Sequence, residues 1–413
     1  MTQERISLLD GKRIVLGVTG SIAAYKAADL ASKLTQAGAL VDTILTGAAQ
    51  RFVTPLTFQA LTGRPAYTSM WESAEGLPLH IAHIGLGEGA DLMIVAPATA
   101  HTIARLAHGL ADDLLAVTAL AARCPLIVAP AMDGGMYAHP ATQANVTALV
   151  ARGVYVIAPD EGRFASGLEG RGRLPEVPIL LGHIRRVLGR GGSLSGRRVI
   201  VTAGGTRERL DPVRHLTNRS SGKQGYALAQ AALDAGADVV LISAAQHLAP
   251  PVGAQVIPVE SAEEMRAAVL DAADAADALI MAAAVADFKP AQAAAQKIKK
   301  GDAPGATLTL TLARTPDILL DVKARRAQTG RPRVVIGFAA ESENLLANAR
   351  EKLARKGLDL IVANDISAPD AGFEVDTNRV TLLDAQGGQQ PYELASKAAV
   401  AEIVIGWLAR AVS

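Results

Sequence analysis

Cysteine is almost absent from this chain of 413 residues: Cys124 stands alone. A single thiol excludes any intrachain disulfide and any cysteine-built metal cluster, and it suits a reducing compartment. Aromatic residues make up only 3% of the chain, and the formal net charge is +1. A nucleic-acid binder would need a basic field or stacking platforms, so that class is set aside. No apolar run reaches the roughly 18 residues of a membrane span. The opening MTQERISLLDGKR is too charged for a signal peptide, so a soluble, cytoplasmic protein is expected.

What is present is the composition of a globular protein, 50% hydrophobic and 20% charged, at a length that implies two or three domains. The clearest stretch runs from Ser195 to Ser243 and reads strand, long loop, helix, strand. Arg198 to Thr202 is a β-branched, apolar run that breaks at Gly204-Gly205, Gly225 to Ala235 has helical apolar spacing, and Ala237 to Ile242 is apolar again. In such a βαβ opening the loop meets a helix N-terminus, where free backbone N–H groups favour an anion. This loop is about three times the usual βα length. It carries Thr206, Arg207, Arg209, Arg214, Asn218, Arg219, Ser220, Ser221 and Lys223, a dense set of donors and cations. The compact G-x-G-x-x-G spacing is missing, which points to a nucleotide bound otherwise than NAD.

The first half starts the same way. Leu9-Asp10-Gly11-Lys12-Arg13-Ile14 matches Leu194-Ser195-Gly196-Arg197-Arg198-Val199, and Ala37-Gly38-Ala39 matches Ala235-Gly236-Ala237. The chain is therefore expected to be α/β, with two Rossmann-like, doubly wound domains at 1–194 and 195–413, joined by the glycine-rich run from Gly189 to Ser193. Strands are expected at Ile14 to Val18, Leu40 to Leu45, Asp91 to Ala96, Leu126 to Ala129 and Val154 to Ile157. Ser21, Thr46 and Thr99 fall at strand carboxyl ends, where open parallel sheets bind ligands. Cys124 precedes a buried strand and reads as a small core residue. In the second half, Ser261 to Glu264 is a capping-box pattern, further strands are expected at Ala278 to Ala284, Val334 to Phe338 and Leu358 to Val362, and Lys352 and Lys356 share one helix face.

The strings GSIAAYK (Gly20 to Lys26), HIGLGEGADLMIVAPATA (His83 to Ala100), GLADDLL (Gly109 to Leu115) and PAMDGGMY (Pro130 to Tyr137) resemble the flavin-dependent cysteine decarboxylases. The resemblance implies FMN on a Rossmann-like fold, oxidation of a cysteinyl thiol to a thioaldehyde, and loss of carbon dioxide. By position it makes His83 the base, rather than His80, and puts Gly20, Ser21, Thr46, Phe52 and Thr99 against FMN. It places Met132 and Asp133 at the substrate. Two positions depart from the family pattern. Asp133 stands where an asparagine usually meets the substrate carboxylate, and a second carboxylate there is repulsive unless one is protonated. Ser166, in the flap FASGLEGRGRLPE, stands where a cysteine often protonates the ene-thiol intermediate.

AGGTRERLDPVRHLTNRSSGKQG, AAAVADFKP, KIKK, TPDIL, GFAAES and ANDIS resemble the phosphopantothenate–cysteine ligases, in that family's order. The two resemblances together imply a bifunctional coenzyme A biosynthesis enzyme. CTP would activate 4′-phosphopantothenate as an acyl-cytidylate, and cysteine would then attack. Asn218 would stabilise the acyl-cytidylate and Lys297 would close over the phosphates. Asp287, Pro316, Asp317, Ile318, Leu319, Phe338, Lys352 and Lys356, with Lys297, would hold CTP. Magnesium is expected on the triphosphate, since no carboxylate cluster announces a metal cage. The resemblance also implies a homo-oligomer, with trimeric flavin domains and dimeric ligase domains, a dodecamer being one such assembly. Two readings compete: a ligase whose flavin-binding half is a catalytically silent scaffold, favoured by Ser166 and Asp133, and a two-domain NAD-dependent oxidoreductase.

Overall fold

Apolar runs too short for helices and closed by Thr-Gly or Pro-Ala become parallel strands buried on both faces. The computed structural model describes residues 5–71, 82–163, 167–299, 307–341, 344–365 and 375–412. The chain divides into two compact units, Met1–Leu188 and Gly189–Ser413. Among the described residues no helix is long and apolar enough to cross a membrane.

The first unit runs β1 (Arg13–Val18), α1 (Ala24–Gln36), β2 (Leu40–Leu45), α2 (Pro55–Thr62), β3 (Ala66–Tyr67), α3 (Ala82–Glu88), β4 (Leu92–Ala98), α4 (Ala100–His108), α5 (Leu114–Ala121), β5 (Leu126–Pro130), α6 (Gly134–Ala138), α7 (Pro140–Ala151), β6 (Tyr155–Val156), β7 (Asp160–Arg163), β8 (Glu169–Arg173) and α8 (Val177–Gly189). Among the described residues its main sheet has the order β3-β2-β1-β4-β5-β6, with every pair parallel. The order reverses between β1 and β4, which opens a crevice at their carboxyl ends. Leu30 and Leu34 of α1 are fully buried against the sheet, each contributing about 2 kcal/mol. Cys124 is half-buried beside the other apolar cluster, and burial pushes its thiol up, as a packing residue requires.

Within the flap string, β8 pairs antiparallel with β7, which precedes the string, a pairing that the sequence reading did not anticipate. The base of the β7–β8 pair is held from two sides. The buried Lys26 ammonium of α1 donates to Leu174 O at 3.0 Å and to Glu176 at 2.7 Å, and it holds the Glu176 carboxyl below the usual range. Met132 N donates to Gly172 O at 2.9 Å, and a Cβ at Gly172 would collide with Met132 O.

Tyr155 of β6 meets His183 of α8 at 2.9 Å. Burial, aided by the Arg186 charge, pushes His183 from 6.5 down to about 4. A base with a depressed folded-state pKa makes the unfolded chain the better proton binder between those values, so stability rises with pH across that window and is lost as pH falls through it. His183→Phe is expected to flatten the pH dependence of unfolding between about pH 4 and 6.5. Denaturant melts at several pH values would show this, and an unchanged slope would contradict it.

The second unit runs β9 (Arg198–Ala203), β10 (Arg207–Arg209), β11 (His215–Thr217), α9 (Lys223–Asp234), β12 (Asp238–Ser243), β13 (Gln255–Pro258), α10 (Ala262–Ala273), β14 (Ala278–Met281), β15 (Phe288–Pro290), β16 (Leu312–Arg314), α11 (Ile318–Thr329), β17 (Val334–Glu341), α12 (Leu345–Lys356), β18 (Leu360–Asp365), β19 (Thr377–Asp384), β20 (Gln389–Ser396) and α13 (Lys397–Val412). Among the described residues its main sheet has the order β13-β12-β9-β14-β17-β18-β19-β20. The first six strands repeat the order of the first unit and are parallel. β19 and β20 then extend the sheet antiparallel. The long loop after β9 is partly ordered as a β10–β11 hairpin, and Ser261 and Glu264 form the expected capping box on α10.

The repeat seen in the sequence is also a repeat of contacts. Leu9 and Leu194 are each 0% exposed, and Gly11 and Gly196 turn with φ of +70° and +74°. The Arg13 amide donates to Asp91 at 2.8 Å and the Arg198 amide to Asp277 at 3.0 Å. The same arginines' Nε atoms donate to Asp42 and Asp238, each at 2.9 Å. Leu194 N donates to Ala235 O and Gly192 packs against Ala235, so the glycine-rich run is fastened to the second unit.

Candidate active sites at the carboxyl edges of two sheets

In the first unit the expected ligand residues gather in the loops after β1, β2, β4 and β5. Gly20 lies against Ala48, which a Cβ would approach to 2.5 Å, so the β1 and β2 loops close on each other only with glycine there. Ser21 Oγ accepts from Ala23 N at 3.3 Å and Thr46 Oγ1 from Ala49 N at 3.2 Å. A hydroxyl that accepts a backbone N–H keeps its own proton to donate, which suits an anion. Thr99 is the N-cap of α4 and Asp133 that of α6. Phe52 follows a single helical turn at Ala49–Arg51 and is 51% exposed. Met132, half-buried, packs beside the second apolar cluster of the unit. His83 lies in the first turn of α3, and its Nδ1 is buried with no hydrogen-bond partner among the described residues. Ser166 and His80 lie outside the described residues.

Thr19 was missed by sequence reasoning. It is 1% exposed; its Oγ1 donates to Pro97 O at 2.7 Å and accepts from Thr99 N at 3.1 Å. It staples the β1 and β4 loops at the point where the strand order reverses, a link across about 80 residues that no local pattern reveals. Thr19→Val keeps the shape and leaves both backbone groups unpaired. The expected cost is about 1–3 kcal/mol, read as a lowered Tm; an unchanged Tm would show that the staple does not hold the loops.

In the second unit the strand ends open into a cavity of about 740 Å³, within the size of small-molecule sites. Asn218, Asp287, Pro316, Asp317, Ile318, Leu319, Phe338, Lys352 and Lys356 all line it, so the structure brings together nearly the whole set expected from sequence. Six cationic lining residues, Lys223, Arg314, Lys352, Arg355, Lys356 and Lys397, face two carboxylates, Asp287 and Asp317, which favours a polyanion. The N-terminus of α9 points there with Gly222 as its N-cap and no side-chain cap, leaving N–H groups for a ligand. Lys356 Nζ lies 3.1 Å from Asp317, and Lys352 Nζ donates to Phe338 O at 3.1 Å. Asn218 Nδ2 donates to the carbonyls of Ala284 and Val285 at 3.2 and 3.3 Å.

Lys297 is the exception. It is exposed and is not among the residues lining the cavity. Its neighbour Ile298 is anchored instead: Asp211 accepts from Ile298 N at 3.1 Å, and Arg214 donates to Ile298 O at 3.0 Å. Arg214 also holds the Asp211 carboxyl well below the usual range, so this anchor persists into acid. Among the described residues no group of three or more His, Cys, Asp or Glu is placed to hold a metal ion.

A family model described as flavoprotein matches residues 3–189. A second, described as the DNA/pantothenate metabolism flavoprotein C-terminal domain, matches residues 194–411. The coenzyme A biosynthesis bifunctional protein CoaBC of Bacillus subtilis is 47% identical over 393 residues, covering 94% of this chain and 95% of that protein. The chain belongs to the CoaBC family. CoaBC of Vibrio cholerae is 45% identical over 397 residues, covering 96% of this chain and 98% of its own. A crystal structure of the C-terminal domain of a CoaBC protein is 35% identical, covers 53% of this chain and 97% of that one, and superposes with a TM-score of 0.43. In this CoaBC-family chain the first family match ends at residue 189 and the second begins at residue 194, shortly before β9.

Proposed function

We propose that this chain carries out two consecutive steps of coenzyme A biosynthesis: CTP-dependent ligation of cysteine to 4′-phosphopantothenate through an acyl-cytidylate, then FMN-dependent decarboxylation of 4′-phosphopantothenoylcysteine to 4′-phosphopantetheine. The observation that carries this reading is full-length similarity to bifunctional relatives, joined to a cationic cavity lined by the expected nucleotide residues.

In the ligase half, the α9 N-terminus and the lysines of α12 offset the charge of the phosphates, and Phe338 supplies an apolar wall. Lys297, which stands outside the cavity here, would have to swing over the phosphates from its anchored segment once they are bound. Asn218 serves the reacting acyl group with N–H donors that it exchanges from the carbonyls of Ala284 and Val285. Magnesium arrives on the triphosphate.

In the flavin half, the hydroxyl donors of Ser21 and Thr46, the tight Gly20 turn, Phe52 and Thr99 form a set that fits FMN. FMN bound there supplies two-electron oxidation and reduction of the substrate. His83 takes a proton at its imidazole as the thiol is oxidised, and Met132 and Asp133 orient the substrate carboxyl beside the flap. Ser166 delivers or relays the final proton to the ene-thiol. Ser166→Ala is expected to release carbon dioxide but accumulate the oxidised ene-thiol product. Product mass in a single turnover would show it, and a completed cycle at the parental rate would remove Ser166 from the chemistry.

The exposed apolar residues Ile22, Tyr25, Leu56 and Trp71, from 62% to 87% exposed, support association of the flavin halves into a trimer. Dimeric ligase halves complete the proposed homo-oligomer, in the cytoplasm. The purified chain should be yellow and release FMN on denaturation, and should release pyrophosphate over many turnovers only when CTP, phosphopantothenate and cysteine are all present, CTP and phosphopantothenate alone giving at most about one equivalent per site. Colourless protein, or pyrophosphate release without the acid, would contradict the proposal.

A further inference from the structure

Lys26 stands in the first turn of α1, shortly after Ser21, and is 7% exposed. Nothing local calls for a lysine there. A cation in the first turn opposes the helix dipole, and a buried ammonium is costly unless it is paired. Its helix neighbours Ala27, Leu30 and Leu34 pack in an apolar cluster of the first unit. A methionine of similar length would fill the space without desolvating a charge.

The ammonium reaches the other end of the unit's sequence. It donates to Leu174 O at 3.0 Å and to Glu176 at 2.7 Å, the two ends of the Leu174-Pro175-Glu176 junction between β8 and α8. The α8 side of that junction is already fixed. Val177, Leu180 and Ile184 are buried in the same apolar cluster, and Glu176 O accepts from Ile179 N and Leu180 N. The bond to the Leu174 carbonyl, charge-assisted and made to backbone, therefore sets where β8 leaves the junction. Gly172 precedes Leu174 by two residues, about 7 Å along a strand. Its carbonyl accepts from Met132 N at 2.9 Å, and the two backbones touch so closely that a Cβ at Gly172 would strike Met132 O. A displaced β8 cannot slide past Met132. It must push Met132 and the adjoining Asp133, whose Oδ1 caps α6 by accepting from Gly135 N at 3.0 Å.

Resting on the decarboxylase reading, we infer that Lys26 is a positioning residue of the first unit: it ties the helix behind the Gly20–Ser21 loop to the base of β8 and, through Gly172, sets Met132 and Asp133 for the substrate carboxyl. Its effect on the substrate is carried by β8. This role accounts for an ionic side chain where an apolar one would pack as well, because only a directed bond fixes the strand end.

The test uses the full chain with FMN bound and phosphopantothenoylcysteine supplied. Lys26→Met keeps the packing and removes the bonds. The KM for phosphopantothenoylcysteine should rise about tenfold, while kcat moves less than about threefold and FMN content stays at the parental value. Trypsin gives a reading independent of turnover. Arg171 and Arg173 are exposed on β8, and cleavage after either should be about tenfold faster in Lys26→Met, because the strand opens more often. Glu176→Ala removes one of the two bonds and should move both readings the same way by a smaller factor. The double variant should be no worse than Lys26→Met alone. If Lys26→Met fails to fold, Glu176→Ala decides. An unchanged KM or an unchanged cleavage rate would overturn the inference, and so would lost FMN with a lowered kcat, which would place the effect in the flavin loop. A parental chain that binds FMN and releases no carbon dioxide would overturn the decarboxylase reading instead, and the cleavage rates alone would then decide whether Lys26 holds β8.

Discussion

His83→Asn is expected to abolish carbon dioxide release while ligation continues at the parental rate. The imidazole lies in the first turn of α3, and its Nδ1 is buried with no partner among the described residues, an arrangement that is costly unless a substrate or cofactor completes it. A neutral imidazole works close to physiological pH as a proton acceptor. General-base assistance is worth about 10²–10⁴-fold in rate, so decarboxylation should fall by that factor at least. Asparagine retains a polar side chain of similar reach, so the helix should persist and flavin should remain bound. Carbon dioxide and pyrophosphate measured in parallel separate the two activities. The comparison is His80→Asn, expected to be mild; if His80→Asn silences the reaction and His83→Asn does not, the register of this segment is wrong.

Asn218→Ala is the counterpart in the second unit. Its Nδ2 protons lie on the carbonyls of Ala284 and Val285, in the loop after β14 where the acyl group is proposed to react. Those bonds are long, and the side chain is exposed to the cavity, so exchange onto a developing oxyanion costs little. Removal of one such donor lowers kcat by about 10²–10³. Ligation should fall by that factor with little change in Tm, and decarboxylation of supplied phosphopantothenoylcysteine should be unaffected. Undiminished pyrophosphate release would remove Asn218 from the chemistry.

The parallel sheets were legible because central strands buried on both faces must be continuously apolar, and their ends can be marked by glycine or Pro-Ala, as after Ile14 to Val18 and Leu92 to Ala96. The internal repeat was legible for a related reason: Leu9, Gly11 and Arg13 each serve a contact that Leu194, Gly196 and Arg198 serve again. The β10–β11 hairpin was not visible, because arginine and exposed polar residues dominate it. β19 and β20 pair at an open edge, where the outer strand is largely exposed and carries no continuous apolar run. Most of the ligase cavity could be named in advance, since its residues cluster in short strings at strand ends. Thr19 could not, because its partners Pro97 and Thr99 lie 78 and 80 positions away. Lys297 shows the reverse case: the string is legible, but the side chain stands outside the cavity on a segment held by Asp211.

One chain is proposed to perform both reactions in sequence. Carboxyl-labelled cysteine, phosphopantothenate, CTP and magnesium, with no added flavin or reductant, test it in one vessel. Equal amounts of pyrophosphate and labelled carbon dioxide are expected, with carbon dioxide lagging and 4′-phosphopantetheine as the final product. Pyrophosphate accompanied by retained label in phosphopantothenoylcysteine would contradict it and leave the first unit a silent flavin-binding scaffold.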